Sequence, residues 1–136
     1  MDRRLIEEKL ESLRRCVARV GEKCPDTADR LASDADAQDI VAINLTRAVQ
    51  LCVDIASYLL SERDAPAPST MGEAFDNLAG LGLLEPALAQ RLRKAVGFRN
   101  VAVHNYAAID WHIVHGICKN RLADFRDFAA AVSRLF

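Results

Sequence analysis

The 136-residue chain is short enough to form a single domain over residues 1–136, because chains usually divide into separate cores only when they are considerably longer. Its apolar content of 51% fits either a tight core or a homodimer that hides additional apolar surface. The formal net charge of −1 excludes a general attraction for nucleic acid or for an anionic membrane surface, so any site for a polyanion must be local.

The sequence shows no segment that would direct the protein out of the cytoplasm. No charged and apolar signal region opens the chain, and no run of about 18 uninterrupted apolar residues occurs. We therefore expect a cytoplasmic protein without membrane association. The cysteines lack the close pairing of a zinc ribbon or a redox motif, so we expect them to be reduced and mostly buried: Cys16, Cys24, Cys52 and Cys118.

The first half of the chain predicts two amphipathic helices. Apolar residues recur at spacings of three and four over Asp2–Gly21, as on one face of a helix. The polar segment Asp26–Asp36 is typical of a turn. A longer helix is predicted over Ala37–Ser61, and its apolar residues on two sides indicate that it packs between neighbours or also meets a second subunit.

The second half predicts shorter helices with clear boundaries. Thr70–Glu73 has the Thr-x-x-Glu form of a capping box, and a short helix follows until the glycines of Gly80–Gly82. Pro86 suits the first turn of a further helix, which we expect to end near Asn105 in a left-handed conformation. Asp110 is a good N-cap for one last helix, which runs close to the C-terminus.

The predicted fold class is all-α. No segment alternates convincingly with the period of two that a half-buried strand shows. Four or five helices packed up and down in a bundle are the natural architecture for these lengths.

Positive charge is concentrated in the helix predicted to begin at Pro86. No acidic residue occurs between Pro86 and Ile109, whereas four basic residues fall within nine positions: Arg91, Arg93, Lys94 and Arg99. A solvated basic helix face is the ordinary explanation. Because the chain as a whole is slightly negative, the first three side chains are also candidates for binding an RNA backbone.

The basic segment continues into His104, the only histidine outside the final predicted helix. Histidine exchanges a proton near neutral pH, and Arg99 supplies a planar cation that can bind a phosphate through two hydrogen bonds. Together they resemble a phosphodiester-cleaving site, in which arginine stabilises charge on the phosphorus oxygens and histidine transfers the proton. On an ideal helix Asn100 and His104 share a face, but Arg99 and His104 diverge by about 140°.

Cleavage of RNA by its own 2′-hydroxyl without a metal ion needs one base and one acid, whereas this segment offers a single histidine. A symmetric dimer presents His104 twice, so we expect the site to lie across a two-fold axis. For an isolated Arg-x-x-x-x-His spacing, a purely structural histidine is the alternative.

The segment Arg99–Tyr106, with the pattern Arg-Asn-x-x-x-His-x-Tyr, resembles the signature of HEPN domains, in which an arginine and a polar residue precede a histidine by a short spacer. The tyrosine two residues after the histidine is similar to that of the HepT toxins, which are paired with a minimal nucleotidyltransferase (MNT) antitoxin. Leu81–Leu84, Val96–Phe98 and Ile109–Asp110 also look like that family. The layout covers most of the chain, and the specific residues lie within about 81 to 110.

The resemblance implies the toxin of a type VII-like HEPN/MNT toxin–antitoxin pair, a homodimeric, metal-independent ribonuclease that cleaves tRNA or mRNA without a cofactor. It implies that Arg99 and His104 are catalytic at the dimer interface and that Asn100 orients them. Tyr106 matches the tyrosine that the antitoxin modifies with AMP, which would occupy the phosphate site and repel RNA.

Two alternatives stay open beside this resemblance. Tyr106 can instead be a core aromatic residue whose hydroxyl is satisfied. The whole chain can be a non-catalytic helical interaction module that binds a nucleotidyltransferase and positions its substrate, although that function leaves the motif unexplained.

Further candidates favour structural roles. His112, His115 and Cys118 lie on successive turns of the last predicted helix, but steps of three residues drift around a helix by about 60° each, so we expect no metal site there. The Asp-x-Asp of Asp34–Asp36 is similar to the carboxylate pair of nucleotidyltransferases, yet no strand holds it, and a polar turn before a helix accounts for it. Trp111 can stack on a base, but packing near the helix start is the preferred interpretation.

Overall fold

Seven α-helices and one 3-10 helix form the part of the chain that the computed structural model describes, Arg3–Phe136. In chain order the helices are α1 (Arg3–Lys23), α2 (Ala28–Ala32), α3 (Ala35–Ser61), α4 (Met71–Gly80), α5 (Pro86–His104), the 3-10 helix (Tyr106–Ala108), α6 (Trp111–Asn120) and α7 (Leu122–Ser133). No strand occurs within this range, in agreement with the predicted all-α class. The predicted number of four or five helices was too low. The predicted first residue of the first helix, Asp2, lies outside the described range.

The polar segment Asp26–Asp36 contains a short helix, so its prediction as a turn was wrong in part. Thr27 caps α2, because its side-chain oxygen accepts a hydrogen bond from the backbone N–H of Arg30 at 3.2 Å. The side chain of Leu31 is fully buried and anchors this helix to the core. Five residues are too few for a helical period to be visible in the sequence.

The longest helix, α3, begins at Ala35 because Asp34 caps it. The Asp34 carboxylate accepts a hydrogen bond from the N–H of Ala37 at 3.1 Å, which confirms that these acids lead into a helix. By length and mean hydropathy alone, α3 is apolar enough to cross a membrane. It packs against α1, α4 and α5, however, and twelve of its residues are buried, as in the central helix of a bundle.

The last predicted helix is in fact two helices, because Arg121 leaves helical geometry with φ −123° and ψ 1°. Asp110 caps α6 as predicted and accepts hydrogen bonds from the N–H groups of His112 at 3.0 Å and Ile113 at 3.4 Å. Apolar residues continue on both sides of the break, so the sequence pattern hides it. The break separates α6, which packs on α2, from α7, which packs on α1 and α5.

One continuous cluster of buried apolar side chains connects α1 to α7. In this cluster the rings of Phe75 and Phe128 meet edge to face, with centroids 5.9 Å apart, and join α4 to α7. All four cysteines are free and buried, as predicted. Burial raises the pKa of the Cys52 thiol, so this side chain stays protonated and behaves as a small apolar residue.

We expect Thr70→Ala to lower the free energy of unfolding by about 1 kcal/mol. The Thr70 side-chain oxygen accepts a hydrogen bond from the backbone N–H of Glu73 at 3.2 Å, which is the part of the predicted capping box that starts α4. Urea denaturation measures the loss. The neighbouring exposed Ser69 makes no side-chain hydrogen bond within the described chain, so Ser69→Ala is the matched control, and an equal loss in both variants would contradict the capping role.

Candidate functional site

Helix α5 carries the segment singled out in the sequence and runs without interruption from Pro86 to His104. The helix ends where predicted, but Asn105 is not left-handed, since its φ is −154°. The chain instead tightens into the 3-10 helix, where the N–H of Ala108 donates to the carbonyl of Asn105 at 2.9 Å. This turn places Tyr106 directly after the end of α5.

Arg99 and Asn100 are in direct contact. The Nη1 group of Arg99 donates a hydrogen bond to the side-chain oxygen of Asn100 at 3.1 Å, and Arg99 is half-buried. The Nε group of Arg99 is buried without a hydrogen-bond partner among the described residues. An unpaired buried donor costs about 1–3 kcal/mol in general, so this N–H group is a candidate to donate a hydrogen bond to a bound molecule.

His104 occupies the last position of α5, where its imidazole is exposed. It makes no side-chain hydrogen bond or ion pair with the described residues and is therefore accessible to another molecule. Because α5 keeps helical geometry from Arg99 to His104, the two side chains leave the helix about 140° apart. No hydrogen bond connects these two side chains within the described chain.

The basic stretch at the start of α5 is partly neutralised. Nε of Arg91 donates to Oδ1 of Asp124 at 2.9 Å, which ties α5 to α7. Arg93 forms an ion pair with Asp76 of α4. Lys94 is exposed and forms no ion pair within the described chain. Binding of RNA by these three basic side chains stays a prediction, and Lys94 is the one whose charge is uncompensated.

Tyr106 is fixed both at its hydroxyl and along its ring. The hydroxyl donates a hydrogen bond to Oδ1 of Asp39 at 2.6 Å. The ring meets Trp111 edge to face with centroids 5.8 Å apart, so Trp111 packs near the start of α6. Tyr106 is nevertheless 42% exposed and is not a core residue, although its hydroxyl is satisfied. Burial, the hydrogen bond and the negative charge of Asp39 together raise the pKa of Tyr106 to about 12.

Sequence analysis missed Asp39, which lies 67 positions from Tyr106. The one available signal was helical spacing, because Asp39, Ile43 and Thr46 follow each other on one face of α3. In the structure this face lines a cavity of about 330 Å³ together with Val103 and Tyr106. Spacing places residues on a common face, but it does not identify the helix that the face meets.

The Asp39 contact predicts how Tyr106 titrates. The phenol is expected to be half-ionised at about pH 12, instead of the ordinary 10.0. The folded state favours the neutral phenol of Tyr106. The stabilisation that this group adds to the fold is therefore fully present below pH 10.0 and is lost as the pH rises through about 12. Asp39→Asn removes the negative charge and is expected to lower the pKa of Tyr106 part of the way toward 10.0. Tyrosinate absorbance measures this titration, with Tyr106→Phe as the reference that lacks it. An unchanged titration would contradict the contact.

An apolar groove of about 440 Å³ lies between α5 and α6. Val101 and Ile113 line it, and Ile113 is 64% exposed. Neighbouring large apolar side chains in water are typical of a surface that another molecule covers. We refer to this surface as the α5/α6 groove, and its apolar wall includes Phe98, Val101, Ala108, Ile113 and Ile117.

The two histidines of α6 contact the segment around α2. Nε2 of His115 lies 2.9 Å from the carbonyl oxygen of Pro25, and Nε2 of His112 lies 3.6 Å from Oδ1 of Asp29. Within Arg3–Phe136, no group of three or more His, Cys, Asp or Glu side chains is placed to hold a metal ion. His115 therefore contacts the chain just before α2, and His112 lies near α2.

The fold and the motif together define a HEPN-type domain: an all-α bundle with Arg99, Asn100 and His104 at the end of one helix and Tyr106 in the next turn. Comparison with protein families matches residues 6–132 to the family Ribonuclease HepT-like. The chain belongs to the Ribonuclease HepT-like family, which confirms the resemblance seen in the sequence.

Two curated relatives are similar over most of the chain. The mRNA nuclease HepT of Shewanella oneidensis is 32% identical over 124 residues, which are 91% of this chain and 92% of the relative. The tRNA nuclease HepT of Aphanizomenon flos-aquae is 30% identical over 106 residues, which are 78% of this chain and 72% of the relative.

Solved structures agree with this assignment. The tri-AMPylated Shewanella oneidensis HEPN toxin in complex with MNT antitoxin has a TM-score of 0.91 at 30% identity, with 98% of this chain and 99% of that chain covered. A crystal structure of a toxin–antitoxin with AMP-PNP has a TM-score of 0.90 at 29% identity, with 95% of this chain and 97% of that chain covered. The helical architecture is thus shared along nearly the whole chain.

Proposed function

We propose that this chain is a metal-independent endoribonuclease and the toxin of a toxin–antitoxin pair, with Arg99 and His104 as its catalytic side chains. The observation that carries the proposal lies in the second half of α5, where a half-buried guanidinium is held by Asn100 and an exposed imidazole has no partner in the described chain. Family membership supports the same function, because the two relatives are named as nucleases for mRNA and tRNA. The substrate class is accordingly mRNA or tRNA.

These side chains match the needs of RNA cleavage by the 2′-hydroxyl. The 2′-oxygen bonds to the adjacent phosphorus, the bond from phosphorus to the 5′-oxygen breaks, a base takes the 2′-proton and an acid protonates the leaving oxygen. Arg99 stabilises the charge on the phosphorus oxygens through charge-assisted hydrogen bonds, and Asn100 orients its guanidinium. The imidazole of His104 fills one of the two proton-transfer roles.

The second proton-transfer group comes, in this proposal, from a second copy of His104 in a symmetric homodimer. The α5/α6 groove offers a contact surface next to the site, because Val101 lies one turn before His104 on α5. Burial of an exposed isoleucine such as Ile113 stabilises an interface by about 1.5–3 kcal/mol. Dimerisation then covers the groove and completes the site at the same time.

An MNT antitoxin neutralises the site through AMPylation of Tyr106 in this proposal. Support comes from the solved relative, which is tri-AMPylated in complex with MNT antitoxin. Esterification of the Tyr106 hydroxyl would replace its hydrogen bond to Asp39 by repulsion between a phosphate and a carboxylate. The 3-10 helix would then shift beside His104, and the nucleotide would place negative charge where the RNA phosphate binds.

The test is an RNA cleavage assay with purified protein that is free of the transferase. We expect cleavage of a tRNA or an mRNA probe at equal rates with and without EDTA, because the proposed groups need no metal ion. A folded protein that cuts neither RNA would overturn the nuclease and favour the non-catalytic interaction module. Cleavage that EDTA abolishes would overturn metal independence.

A further inference from the structure

The Asp39 carboxylate contacts the atom that an AMP group would be joined to. Its Oδ1 lies 2.6 Å from Oη of Tyr106, a distance typical of a strong hydrogen bond to a carboxylate. Asp39 lies near the start of α3 and Tyr106 lies in the 3-10 helix, so the contact exists only in the folded chain. Both residues are exposed, and a transferase can therefore reach the hydroxyl.

We propose that Asp39 is the general base for the adenylylation of Tyr106, an inference that rests on the proposed function. Oη of Tyr106 attacks the α-phosphorus of ATP held by the transferase, and an Oη–P bond forms. The bond between the α-phosphorus and the oxygen bridging to the β-phosphate breaks, and pyrophosphate leaves. The phenol proton passes to Oδ1 of Asp39 and then to water. The toxin thus supplies the base for its own modification, while the transferase supplies the nucleotide.

A base is needed because the phenol is held in its neutral form. With a pKa of about 12, Tyr106 is almost entirely un-ionised near neutral pH. A neutral hydroxyl is a weak nucleophile until an adjacent base removes its proton. General base catalysis by a positioned side chain typically accelerates such a step by about 10²–10⁴-fold.

Among the described residues, Asp39 is the one charged side chain that lines the same cavity as Tyr106. Trp111 packs against the ring from α6 and fixes the direction of the hydroxyl. His104, two positions earlier, makes no hydrogen bond to Tyr106 within the described chain. The other described residues that line the cavity cannot accept a proton at working pH: Ala42, Ile43, Thr46, Ala102 and Val103. Among the described residues that line this cavity, Asp39 is therefore the one acceptor for the proton of Oη.

The experiment compares initial rates of AMP transfer, followed by intact mass, with Mg²⁺, ATP and a minimal nucleotidyltransferase that modifies the wild-type chain. Asp39→Asn keeps an oxygen that accepts the hydrogen bond but cannot take the proton. We expect its rate near pH 7 to fall by about 10²–10⁴-fold, with unchanged affinity for the transferase. The rate should recover in part as the pH rises, because hydroxide then replaces the carboxylate.

Two further variants make the comparison specific. Asp39→Glu restores a carboxylate one methylene farther out and is expected to recover part of the rate. Asp36 is an exposed carboxylate in the first turn of the same helix, so Asp36→Asn is the matched control and should keep the wild-type rate. Circular dichroism and a cooperative thermal transition establish that each variant is folded.

A wild-type rate in Asp39→Asn overturns the inference, and so does a slower rate that arises only from weaker binding of the transferase. Failure of the proposed function has a different signature. In that case the wild-type chain gains no mass with any minimal nucleotidyltransferase, or Tyr106→Phe gains as much mass as wild type.

Discussion

His104→Ala is expected to slow RNA cleavage by about 10²–10⁴-fold, because it removes the proposed proton-transfer group. Arg99→Ala is expected to slow it by about 10²–10³-fold through loss of charge stabilisation. Arg99→Lys should restore little of the rate, since an ammonium group cannot bind a phosphate through two hydrogen bonds in the manner of a guanidinium. The His104 imidazole makes no hydrogen bond in the described chain, so its removal should leave the fold intact.

The matched control for His104→Ala is His112→Ala, which removes an exposed imidazole that lies near Asp29. Single-turnover cleavage of a labelled RNA gives the rates, and growth arrest on expression gives an independent readout. His112→Ala should cleave and arrest growth like wild type. If His104→Ala cleaved RNA at the wild-type rate and remained toxic, the assignment of the catalytic pair would be wrong.

Helix boundaries were predictable where a single residue type satisfies or removes a terminal N–H group. Thr70 and Asp110 accept hydrogen bonds from the first turns of α4 and α6, and Pro86 has no N–H to leave unpaired. The break at Arg121 has no such signal, because an ordinary helix-forming residue there leaves helical geometry. Tertiary packing determines that boundary, so the pattern of apolar residues in the sequence does not predict it.

The proximity of Arg99, Asn100 and His104 on α5 to Tyr106 in the next turn could be read from the sequence, because these residues lie within eight consecutive positions. Asp39 could not, because its contact with Tyr106 depends on how α3 packs beside the end of α5. The same limit applies to the basic stretch. Arg91 and Arg93 lie in a segment without acidic residues, yet α7 and α4 supply the carboxylates that pair with them. A charge counted along the sequence is therefore not the charge of the folded surface.

Ile113→Asp is expected to dissociate the proposed homodimer and to abolish RNA cleavage as a result. In the monomer the side chain is 64% exposed, so the substitution should leave the fold intact. At a two-fold interface the introduced aspartates would be buried without partners. Such burial destabilises an interface by about 3–5 kcal/mol, which raises the dissociation constant by roughly 10²–10⁴-fold. Leu81→Asp is the matched control, since Leu81 is 49% exposed and lies outside the α5/α6 groove.

Sedimentation across a range of protein concentrations, with cleavage rates from the same samples, checks this expectation. Wild type and Leu81→Asp should be dimeric and active, whereas Ile113→Asp should be monomeric and inactive, with activity returning at high concentration. A dimeric, active Ile113→Asp would place the interface elsewhere. A wild-type chain that is monomeric and active would refute a site shared between two copies.

A mixed dimer decides whether two imidazoles act at one site. When wild-type and His104→Ala chains carry different affinity tags, the mixed dimer can be purified, and each such dimer contains one His104. If one imidazole is the base and the other the acid, this dimer should cleave RNA as slowly as the His104→Ala homodimer. Retention of half the wild-type rate would show that each chain contains a complete site. In that case the Arg99 side chain would have to span the angle of about 140° around the helix that separates it from His104. Near-complete loss would instead assign the two proton transfers to two copies of the same side chain.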